Sequence, residues 1–133
     1  MNHEDYCSYE LSKALKAAGF DEPCYFYYTK EDAPDDHVWS TTSEEAPIDY
    51  NRSVYAGCSM PLLSQAQKWL REKWRIEVNA IWSFEESAWF AYSSPMNRPQ
   101  IMCADVSDTS YPTYEQALSE GIKSALELIK KGE

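Results

Sequence analysis

"QKWLREKWRIEVNAIW", residues 67–82, changes its period part-way along. Before it turns, Ala66, Trp69 and Leu70 fall on one side of a helix; after Arg75, Ile76, Val78, Ala80 and Trp82 alternate as in a half-buried strand. Trp69, Trp74 and Trp82 therefore pose a choice between a ligand platform and packing between a helix and a sheet. A helix joined to a strand by a tight turn lies on the sheet that the strand enters. Trp69 and Trp82 are accordingly expected to face each other in the core, with Trp74, at the helix end, nearer solvent.

Outward from this stretch the pattern continues. "SFEES" (83–87) is a polar connection and "AWFAYS" (88–93) a returning strand, while "QIMCAD" (100–105), after Pro95 and Pro99, is expected to be a third. Thr113 and Gln116 stand at capping-box spacing, and Leu118, Ile122, Ala125, Leu126 and Ile129 form the apolar stripe of a last helix. Lys130 and Lys131 sit at its carboxyl end, where the helix dipole favours cations. Towards the amino end, the preceding helix starts near Ser59 and Pro61, with Leu62 on its apolar face.

The first helix is "SYELSKALKAAGF" (8–20), with Ser8 as its cap, Gly19 as its terminator and a stripe of Leu11, Ala14, Leu15 and Ala18. "CYFYY" (24–28) is a short strand whose two faces are both aromatic. From residue 29 to about 58 periodicity disappears, carboxylates dominate and Pro34 and Pro47 interrupt any helix. Such a segment is expected to be a long acidic loop with room for a short irregular strand, partly pinned back by Val38, Trp39, Ile48, Tyr50, Val54 and Tyr55.

The predicted fold is α+β: a three- or four-stranded antiparallel sheet with three helices mainly on one face, in the order α-β-α-β-β-(β)-α. A length of 133 residues suits a single domain, and an apolar share of 44% is too high for a disordered chain. No run of apolar residues is long enough to span a bilayer, and the acidic start MNHEDYCSYE is unlike a secretory signal, so a cytoplasmic setting is expected. A net charge of −10 argues against phosphate backbones as partners.

Little chemistry is legible. Cys7, Cys24, Cys58 and Cys103 include no Cys-x-x-Cys pair, and His3 and His37 lie in polar segments, so buried reduced thiols are expected rather than a metal site or cofactor. Glu85 and Glu86 are adjacent carboxylates at a hairpin tip, where water screens them. Lys68, Arg71 and Arg75 share a helix face beside Trp74, a pattern that can grip single strands but more often is a solvated face.

"ELSKALKAAGF" (10–20), the segment at 66–73 and "TYEQALSEGIKSALELI" (113–129) resemble uncharacterised small proteins of bacterial phages and mobile elements. The last of these is also similar to the final helix of HicB-type antitoxins, whose proline–glycine motif in the preceding strand has no counterpart here. The resemblance implies an accessory role and no catalytic site.

A non-enzymatic protein-binding domain is therefore expected. Tyr25, Tyr27, Trp39, Tyr50 and Tyr55 are the candidate contacts, drawn from the aromatic strand and the acidic loop. Its partner would be a protein, basic or a second copy of the chain, with neither nucleic acid nor membrane. The alternatives are a small enzyme or metal protein using Cys, His and carboxylates, and a single-strand binder.

Overall fold

Ser8 accepts a hydrogen bond from the Leu11 amide and caps the first helix; Gly19, at φ +95°, takes the left-handed conformation just past its end. In the computed structural model, which describes residues 3–29, 38–40, 49–52, 56–96 and 105–132, this helix is α1 (Tyr9–Ala17). There follow β1 (Phe26–Thr29), β2 (Val38–Ser40), β3 (Ala56–Ser59), α2 (Leu63–Lys73), β4 (Ile76–Ser83), β5 (Ala88–Pro95), β6 (Asp105–Tyr111) and α3 (Tyr114–Gly132). The class is α+β and the predicted order holds, with β2 and β3 added between β1 and α2. The strands form two antiparallel sheets rather than one, β2-β1-β3 and β4-β5-β6. The chain divides into two compact units, Met1–Leu62 and Leu63–Glu133.

In the first unit, α1 buries Leu11, Ser12 and Leu15, while Ala14 of the expected stripe is exposed. One face of β1 is the core face: Tyr28 is fully buried with Cys58 and Met60, and Tyr6, Tyr9 and Phe26 pack around them. Tyr9 and Tyr28 meet edge to face at 5.3 Å, as do Tyr6 and Phe26 at 5.4 Å. The buried Tyr28 hydroxyl donates to the Cys7 carbonyl at 2.8 Å, which removes the cost of hiding it.

The long aperiodic segment contains structure that its pattern does not announce. β2 and β3 flank β1, and a 3-10 turn at Tyr50–Arg52 is held by Asn51. Asn51 Nδ2 donates to the Phe20 carbonyl at 2.9 Å, and its Oδ1 accepts from the Ser59 amide at 2.9 Å. One side chain thus ties the end of α1 to β3. Lys16 adds a second tie by donating to the Gly57 carbonyl at 2.7 Å.

In the second unit, Leu63, Ala66, Trp69 and Leu70 form the buried face of α2, so Leu63 replaces the expected Leu62, which is exposed. All five residues of the predicted α3 stripe are buried, and Thr113 Oγ1 accepts from the Gln116 amide at 3.1 Å. Both helices pack on β4 and on each other. α3 approaches the sheet closely at Gly121, where a Cβ would lie 2.9 Å from Val78 Cγ1 and 3.2 Å from the Tyr92 carbonyl.

The third strand of this sheet is β6, "DVSDTSY", which takes up the last residue of the expected "QIMCAD", Asp105; residues 100–104 lie outside the described residues. β6 is an edge strand rich in Ser, Asp and Thr, so no apolar alternation marks it. Its register against β5 shifts between Phe90 and Tyr92. There Ser107 Oγ takes the place of a ladder partner, accepting from the Ala91 amide at 3.0 Å and donating to the Thr109 carbonyl at 2.8 Å.

Candidate functional site: an aromatic ladder at the hairpin end

Trp82 corrects the sequence reading. It shares a strand face with Ile76 and Val78, as alternation requires, yet it is 50% exposed while Trp69 is 4% exposed. The face is buried only where helices lie over it, and exposure grows from Ile76 towards Ser83. Trp69 instead meets Trp74, ring centroids 6.5 Å apart, and the Trp74 Nε1 is buried. Trp74, expected nearer solvent, is half-buried.

Trp82 faces its cross-strand neighbour. Trp82 and Trp89 are direct partners in the β4–β5 ladder, their rings 5.2 Å apart and inclined at 63°. Trp89 in turn meets Tyr114, the first residue of α3, at 5.2 Å and 89°. Edge-to-face geometry of this kind holds rings more firmly than their area alone would. The result is a ladder, Trp82–Trp89–Tyr114, anchored at its helix end and open at its strand end. Tyr111 pairs with Trp89 from β6, and its hydroxyl is pushed up by burial and by the nearby Glu120.

Beyond Trp82 the hairpin turns through residues 84–87, with the Glu86 amide donating to Ser83 Oγ at 3.2 Å and Ser87 in the left-handed region at φ 51°. This turn throws Phe84 into solvent, 87% exposed, between Trp82 and the exposed Glu85 and Glu86. Glu115 follows Tyr114 in the first turn of α3. From Ile76 to Gly121 the chain carries Glu77, Glu85, Glu86, Asp105, Asp108, Glu115 and Glu120 against one cation, Arg98, which lies outside the described residues. Among the described side chains, none of Glu77, Glu85, Glu86, Asp108, Glu115 and Glu120 is in an ion pair. The surface thus offers rings and negative charge.

Tyr25 is 56% exposed just before β1, and Tyr27, within it, is half-buried. Trp39 is the Cα partner of Tyr27 across β1 and β2, so these two are brought together in register. Tyr50 belongs to the 3-10 turn, but its side chain, like that of Trp39, lies outside the described residues, as does all of Tyr55. The ladder residues Trp89 and Tyr114 and the tip residue Phe84 lie outside the candidate set that the sequence offers. A pairing of "IW" with "AWF" across a short polar hairpin was the signal that could have found them.

Cys7, Cys24 and Cys58 are buried thiols, while Cys103 and His37 lie outside the described residues. No cluster among the described residues has the make-up to hold a metal ion. Lys68 is exposed and Arg71 half-buried on α2, but α2 ends at Lys73 and Arg75 lies beyond it at φ 57°, so the expected basic stripe is broken. No described helix is long and apolar enough to cross a membrane. Comparison with family models, curated proteins and solved structures found no match to this chain.

Proposed function

We propose that this chain is a non-enzymatic protein-binding domain that docks a protein partner on the hairpin end of its second unit. The observation that carries the reading is Trp82, a half-exposed indole supported from behind by Trp89 and Tyr114, with Phe84 bare beside it. Tryptophan held rigid by neighbours loses little side-chain entropy on contact, which is why such rings dominate binding hot spots. Covering the exposed parts of both rings is worth about 2–4 kcal/mol. The carboxylates at the hairpin end, Glu85 and Glu86 in the turn and Glu115 beside Tyr114, disfavour nucleic acid, because phosphates would meet like charge there. Buried thiols suit a reducing, cytoplasmic setting, and the resemblance to mobile-element proteins suits an accessory role.

The test is comparative purification from the native host. A Trp82→Ala/Phe84→Ser variant that melts cooperatively should lose the proteins that the parent chain retains. Equal recovery by both would remove the hairpin end as the docking site.

A further inference from the structure

Aromatic burial of a few kcal/mol does not by itself offset the cost of association, about 4–15 kcal/mol, so a partner docked here needs further contacts. The backbone of β4 supplies them. The Met96 amide donates to the Arg75 carbonyl at 2.7 Å, which marks a bonded pair at the start of the ladder. Stepping by two along the register, Glu77, Asn79, Ile81 and Ser83 bond to β5, while Ile76, Val78, Ala80 and Trp82 direct their N–H and C=O groups away from it. β4 is the edge of its sheet, so those groups face outwards.

The proximal part of this edge is closed by the protein's own side chains. Gln67 Nε2 donates to the Val78 carbonyl at 2.7 Å, and the Ala80 amide donates to Asn79 Oδ1 at 3.0 Å. The distal part is not: the Ala80 carbonyl and the amide and carbonyl of Trp82 have no such cap among the described residues. Natural edges that avoid pairing are short, charged or covered. Here the uncapped groups lie beside the exposed Ile81, Trp82 and Phe84, with Glu85 and Glu86 in the adjoining turn and no cation in the described part of the sheet.

Resting on the docking reading above, we infer that the partner enters as an extended basic segment, pairing with the distal edge of β4 as a further strand. Main-chain hydrogen bonds to Ala80 and Trp82 would give it grip, and Lys or Arg at alternate positions would reach the Trp82 ring and the Glu85 and Glu86 carboxylates. A second copy of this chain is the poorer occupant. It would bring another −10 charge, and a two-fold pairing centred in β4 would need the Val78 and Ala80 groups already closed by Gln67 and Asn79.

The experiment is selection of a random ten-residue display library against the full chain, counter-selected with Trp82→Ala. Enriched peptides should carry Lys or Arg at every second position with β-branched residues between. A synthetic peptide of that consensus should bind about tenfold more weakly to Glu85→Gln/Glu86→Gln, and again when its central amide is N-methylated. Trp82-dependent peptides lacking basic residues, or spaced as a helix, overturn the basic-strand inference and leave the docking surface standing. Absence of any Trp82-dependent peptide overturns both. Sedimentation showing a dimer that Trp82→Ala dissociates assigns the edge to a second copy and overturns the inference.

Discussion

Gly121 and Val78 are in such close approach that a methyl group on the glycine would lie 2.9 Å from Val78 Cγ1. Glycine in a helix interior ordinarily costs about 1 kcal/mol relative to alanine. Here it lets α3 lie directly on β4 and β5, and Val78, β-branched and buried, has little freedom to move aside. Gly121→Ala should therefore destabilise by about 1–3 kcal/mol despite the better helix former. Val78→Ala in the same chain should recover part of that loss, which urea denaturation of the double-mutant cycle would measure. Strict additivity would contradict the account.

The two tryptophans that the sequence pairs with one another should behave differently. Trp69→Ala removes a ring buried between α2 and the rest of its unit, at a cost of about 3–5 kcal/mol. Trp82→Ala removes a half-exposed ring whose main partner is Trp89, at a cost of about 1 kcal/mol. Equal losses in denaturant titrations would show that Trp82 is a core residue.

Ser93 faces the helix-covered side of β5, and its hydroxyl is buried with no hydrogen-bond partner among the described residues. Ser93→Ala discards that unsatisfied group while keeping the volume nearly constant. Stability should stay level or rise by about 1 kcal/mol. A fall of the same size would mean that the hydroxyl has a partner.

Burial pushes the Cys58 thiol up to about 11, with Lys16 and Lys13 offsetting part of the effect. Burial also raises the Cys7 thiol, and Cys24 and Cys58 add to it. The folded state therefore holds neutral a thiol that the unfolded chain ionises near 9.0. Stability from Cys58 is complete below that pH and is lost as pH rises towards 11, by about 1.4 kcal/mol per unit. Urea midpoints between pH 8 and 11 should fall, and Cys58→Ala should flatten part of the fall. An unchanged slope in that variant would place the titration elsewhere.

Periodicity carries the helices well, because each buries one apolar stripe: α3 buries every residue predicted for it. It carries β4, which alternates, and places β5 as its returning partner across a polar connection. It reaches only the first residue of β6, where Ser107 repairs an irregular edge with a side-chain hydroxyl, and it gives no bounds for β2 and β3, which enter the first sheet from a segment without pattern. Asn51 organises that region through two backbone groups distant in sequence, and a single amide leaves no periodic trace. The site was only half legible. Aromatic residues are evident from composition, but whether Trp82 is covered depends on where α2 and α3 lie over β4, which strand parity does not specify.

The claim at the centre is that the hairpin end receives a partner. A photo-crosslinking phenylalanine analogue at position 84 in the native host measures this most directly, with the same analogue at the exposed Glu127 of α3 as comparison. A discrete protein adduct from position 84, absent from 127 and lost when Trp82→Ala is added, is the predicted result. No adduct from position 84, or the same adducts from both positions, would contradict it.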